Sequence, residues 1–340
     1  MQLRRPVEIV GGGLAGLALG GALRRAGVPV TILEAGEYPR HRVCGEFIAG
    51  LDDHARHLLQ LDRILGDAFE SRTVGWYSGG QLRRAHALPS PAHCLSRHQL
   101  DLRLAEAFVN AGGDLRTRVR VPVIADAPGR VFATGRRRAA TDWLGLKIHA
   151  IGLPLQQDLE VHLGEDAYVG LARIEDERVN VCGLFRRRAV GASREEVLPA
   201  YLRAAGLSGI ADRLEAAGVD PASASAIAAV GFDRAVVPTR EVRLGDAAAV
   251  IAPFTGHGMA MAFQGAALAY GPLVAYARGT LEWPAARMQI AHELRRAFRI
   301  RLAGAALLHP FLLRPARQRW LGWLSQARLL PLRPLYAALH

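Results

Sequence analysis

Residues 11–16 read Gly11-Gly12-Gly13-Leu14-Ala15-Gly16, a GxGxxG pattern carried by Gly11, Gly13 and Gly16. It follows the apolar strand pattern Val7–Val10 and opens a small-residue helix, Leu14–Arg25, after which Val28–Leu33 reads as a second strand. In that βαβ context the first glycine makes a tight turn, the second lets a pyrophosphate approach the backbone, and the third lets the helix pack on the strand. The free N–H groups of the helix then face the phosphates. Glu34 stands eighteen residues beyond Gly16 at the end of the second strand. A carboxylate there accepts both ribose hydroxyls of an adenosine and disfavours a 2′-phosphate. The chain therefore begins with a dinucleotide site.

Downstream, Leu51–Leu65 and Gln99–Asn110 read as helices, the second stopped by Gly112-Gly113, and Val131–Thr134 reads as a buried strand. Short β segments follow at Leu146–Ile151, Leu159–Leu163, Tyr168–Ile174 and Val179–Phe185, the last two flanking a polar turn at 175–178. Helix returns over 194–217, Val242–Leu244 is a strand running into Gly245-Asp246, and a long Ala-rich helix runs from Gly258 to about Ala277.

Of 43 basic residues only Lys147 is lysine, a bias that weakens any special reading of the net charge of +12. Ten of the arginines, against Glu282 and Glu293, fall in residues 281–340. No RNP, zinc or helix-turn-helix signature accompanies them, which argues against a nucleic-acid partner. The tail, with Phe311, Trp320, Trp323 and many leucines, reads either as core with arginine at its rim or as a peripheral membrane contact. Cys44, Cys94 and Cys182 form no CxxC pair, which argues for a reducing, cytoplasmic compartment and against a metal site. Arg4-Arg5 and the following apolar stretch imitate a secretion signal, but Glu8 interrupts it and the glycines fall at fingerprint positions.

Several segments carry a family resemblance: Tyr38 to Phe47 (YPRHRVCGEF), Ser96 to Asp101 (SRHQLD), Ala133-Thr134-Gly135-Arg136, and Leu244-Gly245-Asp246 through Pro253-Phe254-Thr255-Gly256-His257-Gly258-Met259. The sequence resembles FAD-dependent oxidoreductases of the para-hydroxybenzoate hydroxylase-type fold, especially the branch with geranylgeranyl-reductase-like proteins and polyketide-associated hydroxylases. The resemblance implies an α/β fold in which a Rossmann-type FAD-binding domain (1–70, 95–142, 240–280) is interleaved with an antiparallel-sheet substrate domain (71–94, 143–239), followed by a helical basic C-terminal section (281–340).

It also implies roles. Gly11, Gly13, Leu14, Ala15, Gly16 and Glu34 are expected to hold the ADP half of FAD. Arg97, with Arg42 or Arg40, is expected at the phosphates or ribityl chain, and Asp246 at a ribityl hydroxyl. Pro253, Gly256, Gly258 and Met259 are expected at the flavin, where a helix start stabilises charge on the reduced ring. Thr134 stands where aromatic hydroxylases of this fold carry an acid linked to both cofactors, which puts NAD(P)H as transient electron donor in question. A flavin-halogenase reading fails, since the WxWxIP motif is absent.

For the reaction itself the candidates are Cys44, His257 and Lys147. The Cys44-Gly45-Glu46 loop lies beside the flavin in the reductase-like branch, and His257 falls inside the flavin loop. Lys147 and His149 alternate on one strand and share a face, which either covers the flavin or meets solvent. The leading expectation is a monooxygenase that hydroxylates an apolar aromatic or polyketide-like molecule through a flavin C4a-hydroperoxide. A reductase of isoprenoid C=C bonds and a non-catalytic flavin-binding protein are the alternatives.

Overall fold

The computed structural model describes residues 4–121, 126–137, 139–193, 196–237 and 239–326; the end of the basic tail, 327–340, lies outside them. The chain opens with β1 (Val7–Val10), α1 (Leu14–Arg25) and β2 (Val30–Leu33). Next come β3 (Phe47–Ile48), α2 (Asp53–Leu58), α3 (Leu61–Leu65), the hairpin β4 (Phe69–Ser78) and β5 (Gln81–Cys94), α4 (Arg97–Asn110), β6 (Asp114–Arg116) and β7 (Arg130–Phe132). The middle of the chain supplies β8 (Trp143–Ile151), β9 (Leu159–Gly164), β10 (Ala167–Arg173), β11 (Arg178–Arg186), α5 (Val197–Ala204), α6 (Ser208–Ala216) and β12 (Gly218–Ala228). It ends with β13 (Val242–Arg243), α7 (Gly258–Ala277), α8 (Trp283–Leu312) and α9 (Pro315–Gln326).

Two sheets result. Sheet A runs β13-β7-β1-β2-β6 with every neighbour parallel. Its strands come from three separated stretches of chain. Sheet B runs β12-β8-β11-β10-β9-β4-β5-β3. It is antiparallel, as expected, except where β4 lies parallel to β9. The architecture is an α/β fold, a Rossmann-type unit interleaved with a largely antiparallel sheet and completed by C-terminal helices.

Sheet A is covered by α1, α4 and α7. Helix α1 is buried from Leu14 to Leu23, and Gly20 lets it sit so close that an added Cβ would come within 2.8 Å of Ile32 and 3.0 Å of Phe108. Helix α7 is apolar on all sides because it is interior; by length and composition alone it could cross a bilayer. The outer face of sheet B buries Leu146, Val169, Leu171, Val181 and Phe185 against Leu198, Leu202 and Ile210 of α5 and α6. By strand alternation the inner face carries Trp143, Lys147 and His149 of β8, Tyr168 and Gly170 of β10, and Asn180, Cys182 and Leu184 of β11. That face is turned toward the loops that connect sheet A to its helices.

Two expected helices are broken. Gln60 adopts a left-handed conformation (φ 55°) that splits 51–65 into α2 and α3, and Gly206 (φ 74°) separates α5 from α6 within 194–217. The turn at 175–178 has Asp176 and Glu177 both at positive φ (56° and 55°), the geometry that a two-residue hairpin demands.

Gly11 (φ 109°) runs so close to β7 that a Cβ would lie 2.2 Å from the Ala133 carbonyl oxygen. Gly11→Ala should therefore destabilise the protein by about 3 kcal/mol, from left-handed strain plus overpacking. Gly279→Ala, at φ 75° with nothing within 4 Å, should cost only about 1 kcal/mol. Urea midpoints of the two variants check the difference.

Candidate active site

The glycine turn leaves a cradle. Gly16 is pressed against the Gly11 carbonyl oxygen, which a Cβ would approach to 2.1 Å, whereas a Cβ on Gly13 would meet nothing within 4 Å. Gly13 is the N-cap of α1 and has no capping side chain, so the first amides of the helix point into that open space. This is a site shaped for an anion. The buried Glu34 carboxylate borders it, accepting from the Gly12 amide (2.8 Å) and the Gly36 amide (2.9 Å). The Tyr38 hydroxyl donates to the Gly12 carbonyl (2.5 Å), fixing the turn from the other side.

Beside this turn the guanidinium groups of Arg42 and Arg97 share one buried carboxylate. Asp101 accepts from Arg97 Nε (2.8 Å) and Nη2 (2.9 Å) and from Arg42 Nε (2.8 Å). Arg97 stands in the first turn of α4, whose cap is Ser96 Oγ accepting from the Gln99 amide (3.1 Å). Burial works against its charge, yet the Asp101 carboxylate holds its pKa above the ordinary value. Asp246, in the turn Gly245–Ala247, is exposed, and Gly245 brings that turn to within Cβ reach (3.3 Å) of Ala15 at the start of α1. A cavity of about 410 Å³ whose lining includes Asp246, Arg243, Phe232 and Leu294 adjoins the turn.

The Cys44-Gly45-Glu46 loop is clamped to the inner face of sheet B. Glu46 is fully buried in a left-handed conformation (φ 58°) and accepts three hydrogen bonds: from Lys147 Nζ (3.0 Å), His149 Nε2 (2.6 Å) and the Arg97 amide (2.9 Å). Burial alone would raise its pKa, but the His149 hydrogen bond and the Lys147 charge outweigh that and lower it. Lys147 and His149 are thus wholly inside; neither meets solvent. Lys147 Nζ also lies 3.5 Å from His41 Nδ1, and His41 stacks on His98 (4.5 Å between centroids). Asn180 Nδ2 donates to the Cys44 carbonyl (3.0 Å), and Cys44 Sγ touches Met259 Sδ (3.4 Å) at the start of α7. The thiols of Cys44 and Cys182 are pushed up by burial and stay protonated.

Pro253–Thr255 forms a short turn before α7, and Gly256 (φ 72°) is packed so tightly on Phe47 that a Cβ would come within 2.3 Å of its ring. His257 is buried at the N-cap of α7. Next to this loop the inner face of sheet B ends in an aromatic group. His309 of α8 lies against Trp143 (5.5 Å between centroids), Phe232 (4.9 Å), Tyr168 (5.9 Å) and Phe254 (6.1 Å). Its Nε2 is buried with no hydrogen-bond partner among the described residues, and burial pushes its pKa down to about 4.

An FAD-binding domain model matches residues 4–44, the stretch that holds the glycine turn, Glu34 and Arg42. No curated protein matches the sequence. Solved structures share the fold. p-Nitrophenol 4-monooxygenase PnpA from Pseudomonas putida is 16% identical, with 100% of this chain and 97% of that one covered and a TM-score of 0.78. Pseudomonas aeruginosa PqsL, solved with 2-aminobenzoylacetate, is 15% identical over 92% of this chain and 97% of its own, with a TM-score of 0.74. Klebsiella pneumoniae HpxO, solved with FAD and uric acid, is 16% identical over 98% of this chain and 95% of its own, with a TM-score of 0.73. The matched segment is that of an FAD-binding domain, and the fold is shared with a protein solved with FAD bound. FAD fits the cradle: the space at Gly13 is open to a pyrophosphate, the Glu34 carboxylate is tied to the neighbouring Gly12 amide, and the Gly245-Asp246 turn approaches Ala15.

Cys44, Arg97, Lys147 and Met259, singled out from the sequence, do converge on one region, with Arg42 and Glu34 at its nucleotide end. Arg40 is exposed, 3.7 Å from Glu34. Glu46 stands, as the sequence suggests, in the loop with Cys44, but its partners are Lys147, His149 and the Arg97 amide. Asp101, which holds Arg42 and Arg97, and the aromatic group around His309 carried no role in the sequence; an acid within a resembling segment was the available signal for Asp101, and for His309 there was none.

Burial pushes His41 as well as His309 down to about 4. Both are neutral in the folded state but titrate near 6.5 when unfolded, so their contribution to stability is complete above pH 6.5 and declines as pH falls toward 4. Glu46, whose pKa is lowered, adds a loss in the same direction at more acid pH. Urea midpoints measured across this range should fall with acidification, and His41→Gln with His309→Gln should flatten the decline between pH 6.5 and 4.

Proposed function

We propose that the protein is an FAD-dependent monooxygenase that hydroxylates an apolar aromatic or polyketide-like small molecule, with a nicotinamide dinucleotide as transient reductant. The observation that supports this reading is the aromatic group of Trp143, Tyr168, Phe232, Phe254 and His309 at the end of the inner face of sheet B, one member of which belongs to the loop that starts α7. Such a wall takes a flat, apolar ligand and excludes water.

FAD, when bound, supplies the electron transfer and oxygen activation. The chain's own groups would do the rest. The α1 amides at Gly13 hold the pyrophosphate, Glu34 the adenosine ribose, and Asp246 a ribityl hydroxyl, while Arg97, fixed by Asp101, faces the phosphates or ribityl chain. The first amides of α7, after Gly256, would stabilise negative charge on the bound flavin. Glu46, tied to Lys147 and His149, holds the Cys44 loop in place. One solved protein of this fold is named a p-nitrophenol monooxygenase, and others are bound to 2-aminobenzoylacetate and uric acid, which fits a ring-bearing substrate.

Oxygen dependence tests the reading. Protein reduced anaerobically and offered phenolic lipids should hydroxylate them only after O2 is admitted. Saturation of a polyprenyl C=C bond without O2 would overturn it in favour of a reductase. Trp143→Ala should raise KM at least about tenfold with a smaller effect on kcat, as expected for loss of ground-state contact with an aromatic ring. Steady-state kinetics on the hydroxylated compound check this.

A further inference from the structure

The inner face of α8 is core: Ile290, Leu294, Phe298, Leu302 and Ala305 are buried. Its outer face is of a different kind. Arg296, Arg299, Ile300, Ala303 and Leu307 follow one another at helical spacing and are all exposed, Ile300 to 58% and Leu307 to 69%. Met288 (65% exposed) stands at the start of the same helix. Leu307 and Phe311 are one turn apart, and Phe311 contacts Trp320 of α9 (6.3 Å between centroids), itself 52% exposed. Four of the ten large hydrophobic side chains most exposed among the described residues thus sit on α8 and α9.

The charge on this surface is unusual for the protein. Elsewhere arginines commonly meet a carboxylate, as in Arg5–Glu282, Arg103–Asp67, Arg130–Glu8, Arg203–Glu215 and Arg243–Glu241. Arg295, Arg296, Arg299, Arg314, Arg317 and Arg319 are all exposed, and none forms an ion pair among the described residues. The 14 residues beyond the described part contain no Asp or Glu side chain. Two acids alone stand in residues 281–340: Glu282, which pairs with Arg5, and Glu293.

We propose that the outer face of α8 and α9 docks on a phospholipid membrane rich in anionic headgroups. Uncompensated arginines interleaved with Ile300, Leu307 and Trp320 match a surface that is anionic at the headgroups and apolar beneath them. A second copy of the chain would set like charges against each other. A nucleic acid offers nothing for the exposed aliphatic side chains. On its inner side α8 brings His309 to the aromatic group, so docking would bring that group close to the bilayer, where apolar molecules are concentrated. The docking does not depend on the flavin chemistry.

The test is co-sedimentation of the full-length, FAD-loaded protein with vesicles at physiological salt. Binding to equimolar phosphatidylcholine and phosphatidylglycerol should be at least about tenfold tighter than to phosphatidylcholine alone and should weaken as salt is raised. Arg295→Gln, Arg296→Gln and Arg299→Gln combined should reduce binding at least about tenfold, as should Leu307→Asp, with FAD content and thermal midpoint unchanged. These two alter different properties of the same face, so one folding defect cannot stand in for both. Equal or absent binding to the two vesicle types, binding undiminished in both variants, or tight binding to duplex DNA without binding to vesicles would overturn the proposal.

Discussion

The buried carboxylate of Glu46 is the interaction on which the rest of the site depends. It reaches from a loop of the nucleotide-binding half of the chain to Lys147 and His149 on the inner face of sheet B, with the Arg97 amide as a third donor. An uncompensated carboxylate at such a position would be costly, and removing either side would strand a buried charge. The arrangement has a geometric consequence. It fixes the Cys44-Gly45-Glu46 loop between Arg97, which belongs to the nucleotide end, and Met259, at the start of α7. The Cys44 loop, the start of α4 and the start of α7 are thereby held in register although they come from distant parts of the chain.

What was readable in the sequence was what short-range chemistry specifies. The start of α1 and the extent of α7 follow from glycine positions and apolar patterning, and the turn at 175–178 from its polar residues. The break at Gln60 was invisible because a non-glycine residue takes the left-handed conformation there. The hairpin β4–β5 escaped because most of β5 is exposed and carries no clean alternation of apolar and polar residues. The site was readable in parts for a related reason. Glycine turns and Glu34 announce a nucleotide locally, whereas Glu46 meets its partners about a hundred residues away. His309 joins the aromatic group only because α8 folds back across the molecule.

The basic tail divides along its own helix. One side of α8 is ordinary core, completing the packing of α7, and the other is where the excess charge of the protein is left without carboxylates. Interior order and surface charge are separate properties here, and the net charge of +12 describes the second of them.

The central claim is that the glycine turn cradles the pyrophosphate of FAD, and Gly13 tests it directly. Its Cβ would meet no protein atom within 4 Å, its backbone is extended (φ −90°, ψ −169°), and it occupies the N-cap of α1. Gly13→Asp should therefore leave the apoprotein as stable as before or more so, because Asp is a favoured cap at the positive end of a helix. The same carboxylate would fill the cradle and repel a pyrophosphate. FAD titration followed by flavin fluorescence should show one equivalent bound by the parent protein and affinity lowered at least about a hundredfold in the variant, a loss of about 2.7 kcal/mol. Unchanged FAD affinity in Gly13→Asp would contradict the account.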